Sequence, residues 1–200
     1  MRRIFELPFA LWLLALTALA IGAGVWWHQH RSEAPNPYAH IGGDFTLYSD
    51  AGPVSLRDFQ GRVVMLYFGF TSCPDVCPTD LARMSAVMSG LSETEAAKVA
   101  GVFVSVDPER DTPKKTAEYA RFFNPAITGL SGTVDQIQAI AKRYYIVFSK
   151  VENAGSALGY TIDHTATTYL IDAKGVVRDR LQHDASVDSV RQAVRNLISD

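Results

Sequence analysis

The chain of 200 residues has only two cysteines, Cys73 and Cys77, and none ahead of them. So low a count excludes a disulfide-stapled scaffold, and a domain of this size does not need one to bury a core. The missing upstream thiol also removes a lipid anchor at an N-terminal cysteine. No excess of positive charge is present either: 19 basic side chains against 21 acidic ones leave a formal −2. Nothing in that balance points to nucleic acid. Internal repeats and low-complexity stretches are likewise absent.

Split by region, the charge says more. Residues 1–31 carry Arg2, Arg3 and Arg31 against Glu6, a formal +2, and the remainder carries a formal −4. From Phe9 to Trp27 the chain reads FALWLLALTALAIGAGVWW, without a charge. At 1.5 Å per residue this run reaches roughly 28 Å, close to the ~30 Å hydrocarbon core of a bilayer. Arg2 and Arg3 precede it and Trp26-Trp27 close it, the pattern of a single transmembrane helix whose N-terminus stays in the cytoplasm. A cleaved signal peptide competes, because Ala18-Leu19-Ala20 resembles a processing site, but the apolar run continues past it. Both readings deliver the domain outside the cytoplasm. In a bacterial cell that means an inner-membrane anchor with the domain in the periplasm; the same layout would serve the mitochondrial intermembrane space. The expected organisation is a membrane anchor or uncleaved signal over 1–31, a linker over 32–40 and one folded domain over 41–200.

The cysteines follow Val63-Val64-Met65-Leu66-Tyr67-Phe68, an apolar run without alternation, as expected of a strand buried on both faces. After them Pro78 suits a first helical turn, and Leu81, Met84, Ser85 and Met88 recur at helical spacing. Strand, tight loop with two thiols and helix make the entry to a thioredoxin-like site. Cys77 then lies at or near an N-cap, where a helix start favours a thiolate. Residues four apart on a continuous helix hold their Cβ atoms ~5–6 Å apart, whereas a relaxed disulfide wants roughly 3.5–4.5 Å. Pro78 disfavours the α region at Cys77, so an irregular loop is expected, free to close the sulfurs or to splay them around Cu(I) or Zn.

An N-terminal hairpin around Phe45-Thr46-Leu47-Tyr48 and Val54-Ser55-Leu56 precedes this core. Ser92 to Glu95 has a capping-box pattern, and Val102 to Val106 reads as a second parallel strand. Thr112 caps a helix that Pro113 opens and that stops before Pro125. Another helix starts at Thr133 and buries Ile137, Ile140, Ala141 and Tyr144. Tyr145 to Phe148 reads as a short strand or helix exit, Glu152 to Tyr160 as a mobile loop or hairpin tip. Thr167 to Ile171 and Val176 to Arg178 form a hairpin, and Val187 to Ile198 a final amphipathic helix. The fold class is α/β: a thioredoxin-like domain with an N-terminal β-hairpin extension, preceded by a transmembrane helix.

Of five histidines, His28 and His30 flank the apolar segment, His40 sits in the linker and His183 in a polar stretch. His164 precedes a β-rich run, so a loop entering a strand could present its ring to the cysteines. Asp107, Glu109, Arg110 and Asp111 lie where the second parallel strand ends, the usual place for sites in α/β sheets. Turn and capping chemistry accounts best for Asp111 and Thr112. Asp107 and Arg110 stand evenly between that and a charged rim that docks a partner or holds the cysteine loop.

Three blocks, Thr71-Ser72-Cys73-Pro74-Asp75-Val76-Cys77-Pro78, Ser105 to Pro113, and Asp163-His164-Thr165, resemble the signatures of the SCO/SenC family. Those are membrane-anchored thioredoxin-fold copper proteins that help metallate the binuclear copper site of cytochrome c oxidase subunit II. The resemblance implies that Cys73, Cys77 and His164 bind a copper ion, received from an upstream copper donor and passed to subunit II. Asp163 is a weaker candidate, as a partner that orients His164 or a further ligand. Met84 and Met88 read as core. The alternative is a thiol–disulfide oxidoreductase that uses Cys73 and Cys77 as a redox pair on the same partner without carrying metal. General thioredoxin chemistry fits poorly, because no proline follows Pro125 to supply the facing cis-proline, and His164 takes that place. A peroxiredoxin needs a threonine three residues before the reactive cysteine, where Phe70 stands.

Overall fold

The computed structural model describes residues 9–29, 35–152 and 159–199, with side chains of the first segment described over 11–26. The chain divides into two units, residues 1–36 and 37–200. In the first, the charge-free run forms helix α1, Phe9–Gln29. Among the described residues no helix is long and apolar enough to cross a membrane. Arg2, Arg3, His30 and Arg31 lie outside the described residues, as does the centre of the stretch read as a mobile loop, 153–158.

The second unit is built around strand β3, Val63–Gly69, and its parallel neighbour β4, Val99–Ser105. All seven positions of each are buried, which is why neither shows the alternation of a half-solvated strand. The five-stranded sheet has the order β5-β4-β3-β8-β9, with β5 at Ile127–Leu130, β8 at Thr167–Ile171 and β9 at Val177–Gln182. Strand β5 runs parallel to β4, whereas β8 is antiparallel to β3 and β9 to β8. Tyr67, Phe68, Phe103, Tyr144 and Tyr169 fill the core beside the aliphatic residues. The N-terminal extension is the hairpin β1, Thr46–Ser49, and β2, Gly52–Ser55, followed by a 3₁₀ turn over Leu56–Phe59 where the pattern had suggested more strand.

The helices start where the sequence signals fall. Helix α2, Val76–Ser89, leaves the cysteine loop; α3, Glu93–Ala96, has its capping box at Ser92 and Glu95. Helix α4, Pro113–Phe123, is capped by the Thr112 hydroxyl, and α5, Val134–Arg143, by Thr133 with Gln136. Helix α6, Val187–Ser199, packs along α2. Strands β6, Phe148–Glu152, and β7, Tyr160–His164, form a hairpin that is a separate two-stranded sheet. The loop expected to carry His164 is thus the end of a strand. Outer positions of β6 are exposed, so no apolar pattern betrayed it.

Candidate metal centre

Strand β3 ends at Gly69, where an added Cβ would stand 2.8 Å from Cys77 Sγ and 3.0 Å from the Tyr67 ring. Glycine there lets a sulfur lie against the strand end. The chain then turns, Cys73 N donating to the Phe70 carbonyl at 3.3 Å, and enters α2 at Val76. Cys77 is the second residue of that helix and not part of an irregular loop. Pro78 is tolerated because the first four N–H groups of a helix lack an internal acceptor, so its missing donor forfeits no bond.

The two thiols have opposite environments. Cys77 is fully buried, and Cys73 is partly exposed. Cys77 N donates to Cys73 Sγ at 3.4 Å. The Cys77 thiol beside it holds the Cys73 thiol down at about 4, helped by the amides of Cys77 and Asp75, against partial burial. The same pairing and burial push the Cys77 thiol up. Cys73 is therefore the thiolate and Cys77 keeps the proton, the reverse of the assignment that the N-cap argument favours. The helix-start amides face Cys73, while the Cys77 side chain turns inward.

His164 ends β7 opposite Phe148, and its Nδ1 lies 3.2 Å from the Thr165 carbonyl oxygen. A carbonyl only accepts, so Nδ1 carries the hydrogen and Nε2 is left bare. That Nε2 lies 3.4 Å from Cys77 Sγ. The Phe70 and Tyr67 rings stand edge-on to the imidazole at 5.7 and 6.3 Å. Asp163 points the other way: neighbours on a strand alternate, and its side chain is exposed opposite Ser149. The orienting role considered for it falls to the Thr165 carbonyl.

One segment secures both halves of this arrangement. Asp111, fully buried, accepts from Thr71 N at 2.8 Å, Thr71 Oγ1 at 2.5 Å and Ser105 Oγ at 2.7 Å, and pairs with Lys115 at 3.0 Å. It holds the cysteine loop and is not merely turn chemistry; Thr112 is the cap, as expected. Asp107, also buried, pairs with Arg110 Nε at 2.5 Å and accepts from the Tyr160 hydroxyl at 2.8 Å. Tyr160 escaped the sequence reading. Its signal is the two-residue step Tyr160, Ile162, His164, which puts all three on one face of β7.

Cys73, Cys77 and His164 offer two sulfurs and a nitrogen, all within 4.8 Å of one another, the one such group among the described residues. His40 instead stacks edge-on against Tyr145, and His183 is exposed. Met84 and Met88 are core residues. Soft sulfur donors with one imidazole suit copper and leave a coordination position open.

The SCO1/SenC family model matches residues 33–199. The chain belongs to the SCO1/SenC family. It is similar to Protein SCO2, mitochondrial, of Saccharomyces cerevisiae, 32% identical over 209 residues that cover 98% of this chain and 69% of the relative. The SCO2-like protein RC0895 of Rickettsia conorii is 36% identical over 157 residues, 78% of this chain and 76% of that one. Among solved structures, Arabidopsis thaliana ScoI with copper bound gives a TM-score of 0.74 at 36% identity, covering 80% of this chain and 98% of the other. Bradyrhizobium japonicum ScoI with copper bound gives 0.70 at 35%, covering 78% and 99%. The α/β fold of this SCO1/SenC chain is that of the thioredoxin-like Sco structures, and its Cys-Cys-His group is able to bind a metal of the kind those structures hold.

Proposed function

We propose that this SCO1/SenC protein carries copper on Cys73, Cys77 and His164 and delivers it to the binuclear copper site of cytochrome c oxidase subunit II. The observation that carries this reading is the convergence of two sulfurs and a bare Nε2 within 4.8 Å. Cys73, already ionised, offers the first bond. Cys77 completes the pair by releasing its proton as metal enters. Nδ1 held by the Thr165 carbonyl keeps Nε2 aimed at the sulfurs. An incoming thiolate or imidazole on subunit II then takes the metal by ligand exchange. An upstream donor supplies the copper, and α1 anchors the domain to the inner membrane, with residues 32–40 as tether and 41–200 in the periplasm.

The asymmetry of the thiols favours a second activity on the same partner. The Cys73 thiolate would attack one sulfur of an oxidised cysteine pair, expelling the other as a thiolate. Cys77, after losing its proton, would then attack Cys73, releasing the reduced partner and closing a Cys73–Cys77 disulfide. Both cysteines are thus proposed as a redox-active pair as well as ligands; a copy that has reduced subunit II holds a disulfide and no copper, so delivery falls to a second, reduced copy.

The test mixes copper-loaded and copper-free reduced protein with the oxidised soluble domain of subunit II. The expected result is thiol release by the copper-free form and, onto the sites so reduced, copper transfer from the loaded one. Thiol release with no movement of metal would leave only the reductase. His164→Ala, which removes a ligand itself, should weaken Cu(II) binding by at least the ~10–100-fold that loss of a ligand's supporting partner costs, while the Cys73–Cys77 disulfide still forms. Unchanged affinity and spectrum would remove His164 from the site.

A further inference from the structure

The donors ride on two different supports. The sulfurs sit at the end of the central sheet, whereas His164 ends a hairpin that shares no strand pairing with that sheet. A lone two-stranded hairpin is marginal in water, so side chains must hold it. Ile162 is buried beneath it, but side chains do not fill the space on that side: an open pocket of about 230 Å³ lies between the hairpin, α5 and the 106–109 turn, lined by Asp107, Glu109, Ile137, Phe148 and Ile162. Packing alone leaves the hairpin incompletely supported on that side.

What closes the gap is polar. The Tyr160 hydroxyl donates to Asp107 Oδ1 at 2.8 Å, and Arg110 Nε reaches the other oxygen of that carboxylate at 2.5 Å. Arg110 Nη1 donates to the Tyr160 carbonyl at 2.9 Å while its guanidinium lies 3.7 Å from the centre of the Tyr160 ring. One arginine and one carboxylate thus grip a single tyrosine by its hydroxyl, ring and backbone. Asp107 is itself tied to the cysteine support, its amide donating to Ser105 Oγ at 3.1 Å, which donates on to Asp111, the residue that holds Thr71.

We propose that Asp107, Arg110 and Tyr160 form a clasp that positions His164 on the two sulfurs and so sets how long copper stays bound before it passes on. The inference rests on the copper-delivery reading. The three are positioning residues: none touches the donor atoms, and Tyr160 lies on the same face of β7 as His164, two strand steps away. Lys150, paired with Glu109 at 2.5 Å and 4.8 Å from the Tyr160 ring, closes the outer side.

The test uses the full chain with Tyr160→Phe, which keeps the ring and removes the hydroxyl. In the metal-free protein, amide exchange over 160–165 should rise about tenfold, as for loss of a hydrogen bond to a charged acceptor, while β3 and β4 keep their protection. In the copper-loaded protein, transfer to an excess of a small chelator should quicken about tenfold, at the low end of effects that act through a ligand's supports. On a His164→Ala background the same substitution should change the transfer rate no further, the non-additivity of residues acting through one group. Wild-type hairpin exchange in Tyr160→Phe overturns the clasp, as does faster copper loss that persists on the His164→Ala background. Should Tyr160→Phe unfold the chain, Asp107→Asn is read by the same measurements. A wild-type protein that takes up no copper defeats the delivery reading, and hairpin exchange still decides the clasp.

Discussion

Cys73 and Cys77 stand four residues apart, yet the fold gives them different work. The thiolate at Cys73 is held near the surface by a neighbouring thiol and helix-start amides, and Cys77 is sealed beneath it. Alkylation should follow that division. With its ordinary value near 9 lowered to about 4, Cys73 is ionised throughout the neutral range. Its labelling by iodoacetamide should therefore stay nearly flat from about pH 6 to 8, where an unperturbed thiol near 8.5 gains close to tenfold per unit. Peptide mass mapping would show Cys73 modified first and Cys77 only after unfolding. A tenfold rise per pH unit at Cys73, or first labelling at Cys77, would overturn the assignment. Tyr67 and Tyr119, whose hydroxyls are pushed up by burial and by the nearby sulfurs, stay neutral across this range.

Between elements, the decisive contact is the close approach of α2 to the end of β3. Gly69→Ala would set a methyl 2.8 Å from Cys77 Sγ, forcing the helix start or the sulfur to shift. The cost expected for overpacking is about 1–3 kcal/mol, read as a lower denaturation midpoint at unchanged m-value, together with weaker copper binding. Full stability with wild-type affinity would show that the contact relaxes freely. Much of this level was legible beforehand. The unbroken run from Val63 to Phe68 announced a doubly covered strand, and Thr112-Pro113 and the Thr133 box announced their helices. Strand β5 was not visible, since Thr128 and Gly129 interrupt its four residues. Nor was β6, whose exposed positions give no pattern. The helical placement of Cys77 was masked by Pro78, because the local steric bias before proline says nothing of a helix start two residues earlier. Asp111 and Tyr160 could not be assigned their holds from the sequence alone: their partners Thr71 and Asp107 lie 40 and 53 residues away.

At the scale of the molecule, residues 37–200 contain the central sheet and the donor set, and α1 belongs to a separate unit. If α1 anchors the protein, the full chain expressed in a bacterium should stay with membranes through an alkaline carbonate wash, while residues 37–200 made with a cleavable export signal should be recovered in the soluble periplasmic fraction. Full chain released by the wash would remove the anchor. The donor set also has an order of appearance. His164 is 87 residues beyond Cys77, so during synthesis both sulfurs exist long before the nitrogen that accompanies them. A nascent chain folded only through α2 is a naked dithiol, and only arrival of the C-terminal half supplies the imidazole. Occupancy by all three donors is thus a certificate of a finished fold, and a copy broken off before β7 would retain sulfur chemistry without the nitrogen ligand.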